Sequence, residues 1–266
     1  MQKRSILIIC SLVAVSLFAY SFISTPELNT VLEADLEALA QEAYVPTAIE
    51  ASIDKQFIYD IGPRFAPITK KELTAATSAR DFLDAKSLAR LASFEELSII
   101  IIENDVQTAR RLSNNSIQLS AAQKTMLNQM PYATNFCISA KFLERNTLSD
   151  NLEHQHWRPH LTLVPAVQAQ YSEGLYQLKT YLEKGIYNNT IAVDKDSFKP
   201  AKLSFTVTKN GSVSDLHLDH TSGYSEIDEA LKKLLLAAPG TWEAAKDENG
   251  NAVAQNLVIS FGMPDC

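Results

Sequence analysis

Three histidines, His154, His156 and His160, form a His-x-His-x3-His run around Trp157 and Arg158. Alternate residues of a strand share a face, so His154 and His156 project together, as zinc ligands do, and His160 joins them if no bulge intervenes. No glutamate in a base-like position and no second His pair accompanies them, so the metal motif is incomplete. A polar strand face accounts for the run. His217 and His220 stand beside Asp215 and Asp219 and read as surface polar residues. The chain contains no Gly-x-Ser-x-Gly elbow, phosphate loop, Asp-x-Asp motif or Cys/His pair of recognisable spacing. Trp242, Tyr171, Tyr176, Tyr181 and Tyr187 read as packing groups rather than a ligand cage. No catalytic, cofactor-binding or metal residue is therefore assigned, and the chain is not expected to be an enzyme.

The cysteines bear on compartment instead. Lys3 and Arg4 precede Ser5–Ile23, an almost purely apolar run. About 20 apolar residues span a bilayer as a helix, and flanking positive charge favours a cytoplasmic start. Ala19-Tyr20-Ser21 offers the competing reading, a cleaved signal peptide. Either way the rest of the chain is expected outside the cytoplasm. Cys10 lies inside the run without a lipobox lead-in, which leaves Cys137 and Cys266 in an oxidising space. There the pair reads as a disulfide, or as a buried thiol with a frayed terminal one.

With 266 residues the chain holds one large or two ordinary domains. A hydrophobic content of 46% with 21% charged residues is that of a globular protein. The formal charge of -7 and the absence of a basic stripe exclude a nucleic-acid face.

The elements that carry these residues can be read from caps and periodicity. Thr25 to about Ser52 is acidic and Ala/Leu-rich, with Leu32, Leu36 and Leu39 near helical spacing: a juxtamembrane helix or a loose spacer. Thr69-Lys-Lys-Glu72 is a capping box, predicting a helix from about Lys70 to Ala92 with Leu73, Ala76, Phe82, Leu83 and Leu88 inward. Leu97–Ile102 predicts a buried strand. Ser120-Ala-Ala-Gln123 opens a short helix that ends before Pro131. Thr134–Leu143 alternates around Phe136, Ile138 and Phe142, and His156–Val164 offers a return strand. Residues 57–165 thus form a mixed α/β region that matches no motif of known chemistry.

The C-terminal third is more legible. Leu175, Leu178 and Leu182 give an amphipathic helix. Two alternating segments within Leu203–Leu218 flank Lys209-Asn210-Gly211, a strong hairpin signal because Asn and Gly tolerate positive φ. Ser225-Glu-Ile-Asp228 reads as a third capping box for a helix to about Ala238, stopped by Pro239-Gly240. A turn at Glu248–Asn251 leads to a last strand, Gln255–Phe261, with Leu257, Ile259 and Phe261 on one face.

This order resembles the C-terminal domain of TonB-family energy transducers. The resemblance rests on Phe205-Thr-Val-Thr-Lys-Asn-Gly-Ser-Val-Ser-Asp-Leu216, on Ser222-Gly-Tyr-Ser-Glu-Ile-Asp-Glu-Ala-Leu231, and on Trp242 followed by Asn249-Gly-Asn-Ala-Val253. It covers about a third of the chain. It implies partner binding in the periplasm: an exposed strand pairs with an extended segment of an outer-membrane transporter or other envelope protein, by β-augmentation. An inner-membrane proton-driven motor complex works the anchor. The matching strand positions are Asn256, Leu257, Val258, Ile259, Ser260 and Phe261, unless that strand is interior or already covered. Three features depart from the family. The anchor run has no His, no long Pro-rich spacer follows it, and Trp242-Glu243-Ala244 replaces the family's Trp-Lys-Pro.

The sequence therefore reads as an α+β chain. Residues 1–24 are a membrane anchor or signal peptide, 25–56 an acidic helical spacer, 57–165 the α/β region, and 166–266 the TonB-like helix–hairpin–helix–strand domain. The expected protein is single-pass in a bacterial inner membrane, its bulk periplasmic, binding a protein partner and needing no cofactor. Coupling of inner-membrane energy to outer-membrane transport is the stronger form of this expectation. A periplasmic scaffold or sensor without energy transduction is the alternative.

Overall fold

The computed structural model describes residues 57–83, 85–187 and 197–262. The apolar run Ser5–Ile23, the acidic spacer and Cys266 lie outside them. Among the described residues no helix is long and apolar enough to cross a membrane.

Strands dominate, and the chain is α+β. In the middle region the strands are β1 (Ile58–Gly62), β2 (Ala66–Thr69), β3 (Leu91–Glu103), β4 (Val106–Asn114), β5 (Asn135–Arg145), β6 (Leu152–Trp157) and β7 (His160–Val164). Its helices are α1 (Lys70–Ala75), α2 (Ala85–Arg90) and α3 (Ala121–Gln129), with a 3-10 turn at Ala79–Asp81. The C-terminal third adds β8 (Gln170–Tyr171), α4 (Leu175–Tyr187), β9 (Ala201–Val207), β10 (Val213–His220), α5 (Ser225–Leu236), β11 (Trp242–Glu243), β12 (Ala245–Lys246), β13 (Ala252–Val253) and β14 (Gln255–Phe261).

The middle sheet runs β2-β7-β5-β3-β4, with β6 also pairing β5. All its pairs are antiparallel except β2 with β7. Strict alternation puts Leu97, Ile99 and Ile101 of β3 on the face where Phe136, Ile138, Ala140 and Phe142 of β5 lie. Leu73, Leu127 and Met130 from the helical side close this core.

The long helix predicted over Lys70–Ala92 is broken. Thr69 and Glu72 make both bonds of the expected capping box, but α1 ends at Ala75. The cause is a second box immediately downstream. The Asp81 carboxylate accepts from the Thr77 and Ser78 amides at 2.7 and 2.9 Å, and Ser78 caps the 3-10 turn. Those amides are taken by a side chain, so they cannot continue α1. The Ser120–Gln123 box forms as expected, and buried Gln123 also donates to the Leu97 and Leu112 carbonyls at 3.0 and 3.1 Å. The predicted return strand His156–Val164 is two strands, because Arg158-Pro159 separates β6 from β7; Pro159 has no amide for the ladder.

The C-terminal sheet runs β1-β14-β9-β10, antiparallel throughout. Leu178, Leu182 and Ile186 of α4 and Ile227, Leu231 and Leu235 of α5 pack on its inner face against Leu203, Phe205, Val207, Leu257, Ile259 and Phe261. Two short ladders, β8 with β11 and β12 with β13, finish this layer, and Tyr171 meets Trp242 edge-on at 5.3 Å. Leu175 is exposed rather than inward. The expected Ser225 cap is absent as well: α5 is entered through Tyr224, while Asp228 accepts from the Ser222 amide and hydroxyl and from Thr221. Its first strand comes from the middle region, so this sheet crosses the boundary placed at residue 165. Phe57, just ahead of β1, accepts from Gly262 N–H at 2.9 Å.

Candidate functional site

The strand expected to capture a partner, Asn256–Phe261, lies inside the sheet. β9 pairs it along its whole length, from Gln255↔Val207 to Phe261↔Ala201. β1 pairs it on the other side, with Ile58↔Phe261, Asp60↔Ser260, Ile61↔Ile259 and Gly62↔Val258. The edge is therefore taken from Val258 to Phe261, and among the described residues Asn256 and Leu257 have no strand partner across from β9. The physical reason is apolar content in β1. Ile58 is 0% exposed, Phe57 and Ile61 are buried with it, and the Phe57 ring stacks on Phe198 at 5.2 Å and meets Phe261 at 5.6 Å. That segment completes the core.

The outer strands of this sheet, β1 and β10, are both blunted. Ile58 N–H donates to the Glu183 carboxylate of α4 at 3.1 Å. In β10 the register shifts between Ser214 and His217 and again between Leu218 and His220, and Asp215 sits at φ 51°. The His217 ring bonds the Asp215 carbonyl at 3.0 Å. Bulges and side chains that occupy backbone groups discourage strand addition at an edge.

Charge collects where the two sheets meet. Arg64, in the β1–β2 connection, donates from Nε and Nη2 to the two oxygens of Asp105 at 2.6 and 2.8 Å, a bidentate fork. Its Nη1 donates to Asp219 of β10 at 2.6 Å. Asp105 belongs to the tight turn between β3 and β4, where Asn104 and Asp105 take φ 52° and 63°. Lys202 Nζ reaches Asp105 at 3.0 Å, and Ser204 donates its hydroxyl to Asp219. His217 Nε2 lies 2.9 Å from the other Asp219 oxygen.

The side chains of Arg64, Asp105 and Asp219 are 11%, 22% and 14% exposed, so water screens this clasp weakly. The Arg64 hydrogen bonds, helped by Lys202, hold the Asp105 carboxyl well below the usual carboxylate range. Burial alone would raise Asp219, but the Ser204 and Arg64 hydrogen bonds outweigh it and leave that carboxyl lowered. The fork to Asp105 raises the Arg64 guanidinium further. A second, more exposed link joins the same two regions: Tyr132 donates to Glu248 at 2.5 Å, with Lys70 Nζ 5.7 Å from the ring centre. Burial and the Glu248 carboxylate raise the Tyr132 phenol.

The histidine run does not converge. His154 pairs with Glu95 at 3.1 Å and His156 bonds Ser139 at 2.7 Å. His160, beyond Pro159, packs on Phe65 at 5.2 Å. Burial, Arg158 and Lys141 all lower the His156 ring below its ordinary value. Among the described residues no group of three His, Cys, Asp or Glu side chains is placed to hold a metal. His217 and His220, read from sequence as surface polar residues, border the Arg64 clasp beside Asp219 and Asp105. Cys137 is buried on the outer face of the middle sheet beside Ile100 and Ile102, and burial raises its thiol; the other half of the expected pair, Cys266, lies outside the described residues.

Sequence reasoning missed Arg64 and Asp105 as partners, and missed β4 altogether. One signal was present: Asn104-Asp105 after a β-branched run has the residues of a tight hairpin turn. The Arg64 partnership had none, since it joins residues far apart in the chain. In comparisons with family models, curated proteins and solved structures, no match to this chain is found.

Proposed function

We propose that this protein is anchored in a bacterial inner membrane, lies largely in the periplasm, and binds a protein partner through its C-terminal α+β module. One observation carries the reading. α4, the β9–β10 hairpin, α5 and β14 follow one another in the order on which the TonB resemblance rests, within an antiparallel sheet that β1 completes. The apolar run behind Lys3 and Arg4 supports the anchor, and an outer-membrane transporter or other envelope protein is the partner class. In the stronger form, an inner-membrane proton-driven motor complex acts on the anchor and the module passes that work outward.

A second reading is favoured by the Arg64 clasp. A scaffold or sensor that transmits no energy needs the module fixed to its neighbour, and Arg64, Asp105 and Asp219 fix it. The missing Pro-rich spacer and the anchor without His point the same way.

A photocrosslinking residue at Asn256 or Ser260 of the full-length protein in living cells tests both. An adduct with an outer-membrane transporter that disappears when the proton gradient is dissipated supports the coupling form. An adduct indifferent to the gradient supports the scaffold. If neither position forms any envelope adduct, partner binding through this module is wrong.

A further inference from the structure

β1 has the construction of a hinged strap. Its far end is fixed, because Gly62 leads directly into Pro63 and Arg64, and Arg64 is held by Asp105 and Asp219. Its near end is held around Phe57 and Ile58. Among the described residues its contacts include the Gly262 N–H bond to the Phe57 carbonyl, the Glu183 carboxylate on Ile58 N–H, and the Phe57 ring against Phe198 and Phe261. Between the two ends the register slips between Ile58 and Asp60, so the ladder to β14 is interrupted after its first pair. Among the described residues, this latch is what a load arriving along the chain from the N-terminal side meets first. The load acts on one pair at a time, because Ile58↔Phe261 lies at the end where the chain enters.

What the strap covers is a complete strand edge. Without β1, the sheet is β14-β9-β10, and β14 presents its backbone from Val258 to Phe261 next to Asn256 and Leu257, which have no strand partner on that side among the described residues. The side chains beside that edge are Leu257, Ile259 and Phe261 on the helix-backed face, with Asn256, Val258 and Ser260 on the other. β10 gives no comparable surface, being bulged and occupied by His217.

We infer that β1 is an inbuilt occupant of the β14 edge and that this edge accepts an extended segment of a partner only when β1 swings out about Gly62–Arg64. The inference rests on the partner-binding reading above and deepens it. The partner segment is one whose apolar side chains replace Phe57, Ile58 and Ile61, the buried residues of the strap.

The probe is a fluorescent peptide with the sequence of the strap itself, Phe57–Gly62, added to the full-length protein and read by anisotropy. Glu183→Ala removes the carboxylate that accepts from Ile58 N–H, and Phe57→Ala removes the aromatic latch. Both are expected to bind the peptide at least tenfold more tightly than the unaltered chain. A strap closed by a disulfide, from Asp60→Cys with Ser260→Cys, is expected to lose this binding when oxidised and recover it when reduced, since directly opposed strand residues are within disulfide reach. Should Phe57→Ala fail to fold, Glu183→Ala decides. Equal peptide affinity for Glu183→Ala and the unaltered chain overturns the inference, and so does peptide binding that persists in the oxidised lock. Because the probe is the chain's own strand, that failure leaves partner binding intact, whereas absence of envelope adducts at Asn256 and Ser260 leaves the strap intact.

Discussion

Replacing Arg64 with alanine isolates what the clasp contributes. The substitution removes the fork to Asp105 and the bond to Asp219, and leaves two carboxylates in a weakly hydrated corner. Removing one member of a buried ion pair costs about 3–5 kcal/mol when the survivor has no other support. Here Lys202 remains at 3.0 Å from Asp105, while Ser204 and His217 remain on Asp219. Water also reaches both carboxylates, so the expected loss at neutral pH is about 2–3 kcal/mol. The pH dependence follows from the direction of the shifts. Both carboxyls are lowered in the folded chain, so their contribution is fully present above the unfolded carboxylate value, about 4. It fades as pH falls from there through the lower folded values. The unaltered chain loses that contribution in acid, whereas Arg64→Ala has already lost most of it. The gap between the two chains should therefore narrow to about 1 kcal/mol or less near pH 3. Urea unfolding at pH 7, 5 and 3, with slopes compared, measures it. A gap below about 1 kcal/mol at pH 7, or one that stays constant to pH 3, refutes the reasoning.

Substitutions at three further positions probe single features. Gly211 sits at φ 79°, and an added Cβ would lie 2.2 Å from the Trp242 carbonyl oxygen, so Gly211→Ala should lower stability by about 1–3 kcal/mol; an unchanged melting temperature would count against the turn geometry. Gln123 is fully buried and supports Leu97 and Leu112 of β3 and β4. Gln123→Ala should cost about 2–4 kcal/mol and speed amide exchange in β4 first, a loss that uniform exchange would contradict. The Trp242 indole N–H is buried with no hydrogen-bond partner among the described residues. Trp242→Phe should therefore change stability by only about 1 kcal/mol, while Trp242→Ala costs about 3–5 kcal/mol in denaturant titrations; equal losses would show that the N–H is satisfied.

The C-terminal third was legible because its signals are local. The Asn210-Gly211 turn, the alternation through Leu203–Leu218 and the Leu spacing of α4 each depend on neighbours within a few residues, and all three elements formed. Local signals also misled where two of them competed. Thr69–Glu72 announces a helix, but Ser78–Asp81 stops it after six residues, and only their combination gives the observed break. β4 was missed because Val106–Asn114 is an edge strand whose outer half is polar, so burial leaves little trace in its composition. The candidate site was the least legible part. Nothing in Phe57–Gly62 marks it as the neighbour of Val258–Phe261, and nothing around Arg64 names Asp105 and Asp219. Those pairings come from tertiary packing, which sets which edge is covered and which charges meet.

The pairing of β1 with β14 also sets the order in which the chain can fold. Synthesis delivers β1 before every other described element and β14 after all of them. Until β14 arrives, Phe57, Ile58 and Ile61 have no core to enter, whereas the middle sheet, from β2 to β7, has all its partners early. The nascent protein thus carries an unpaired apolar strand, and carries it beside a finished middle sheet while residues 165–261 are made. Such long-range pairing is slow, and a waiting strand is open to capture by other chains. A holdase that recognises a short extended apolar segment would find its substrate at the front of this protein, and would be released by the completion of its tail.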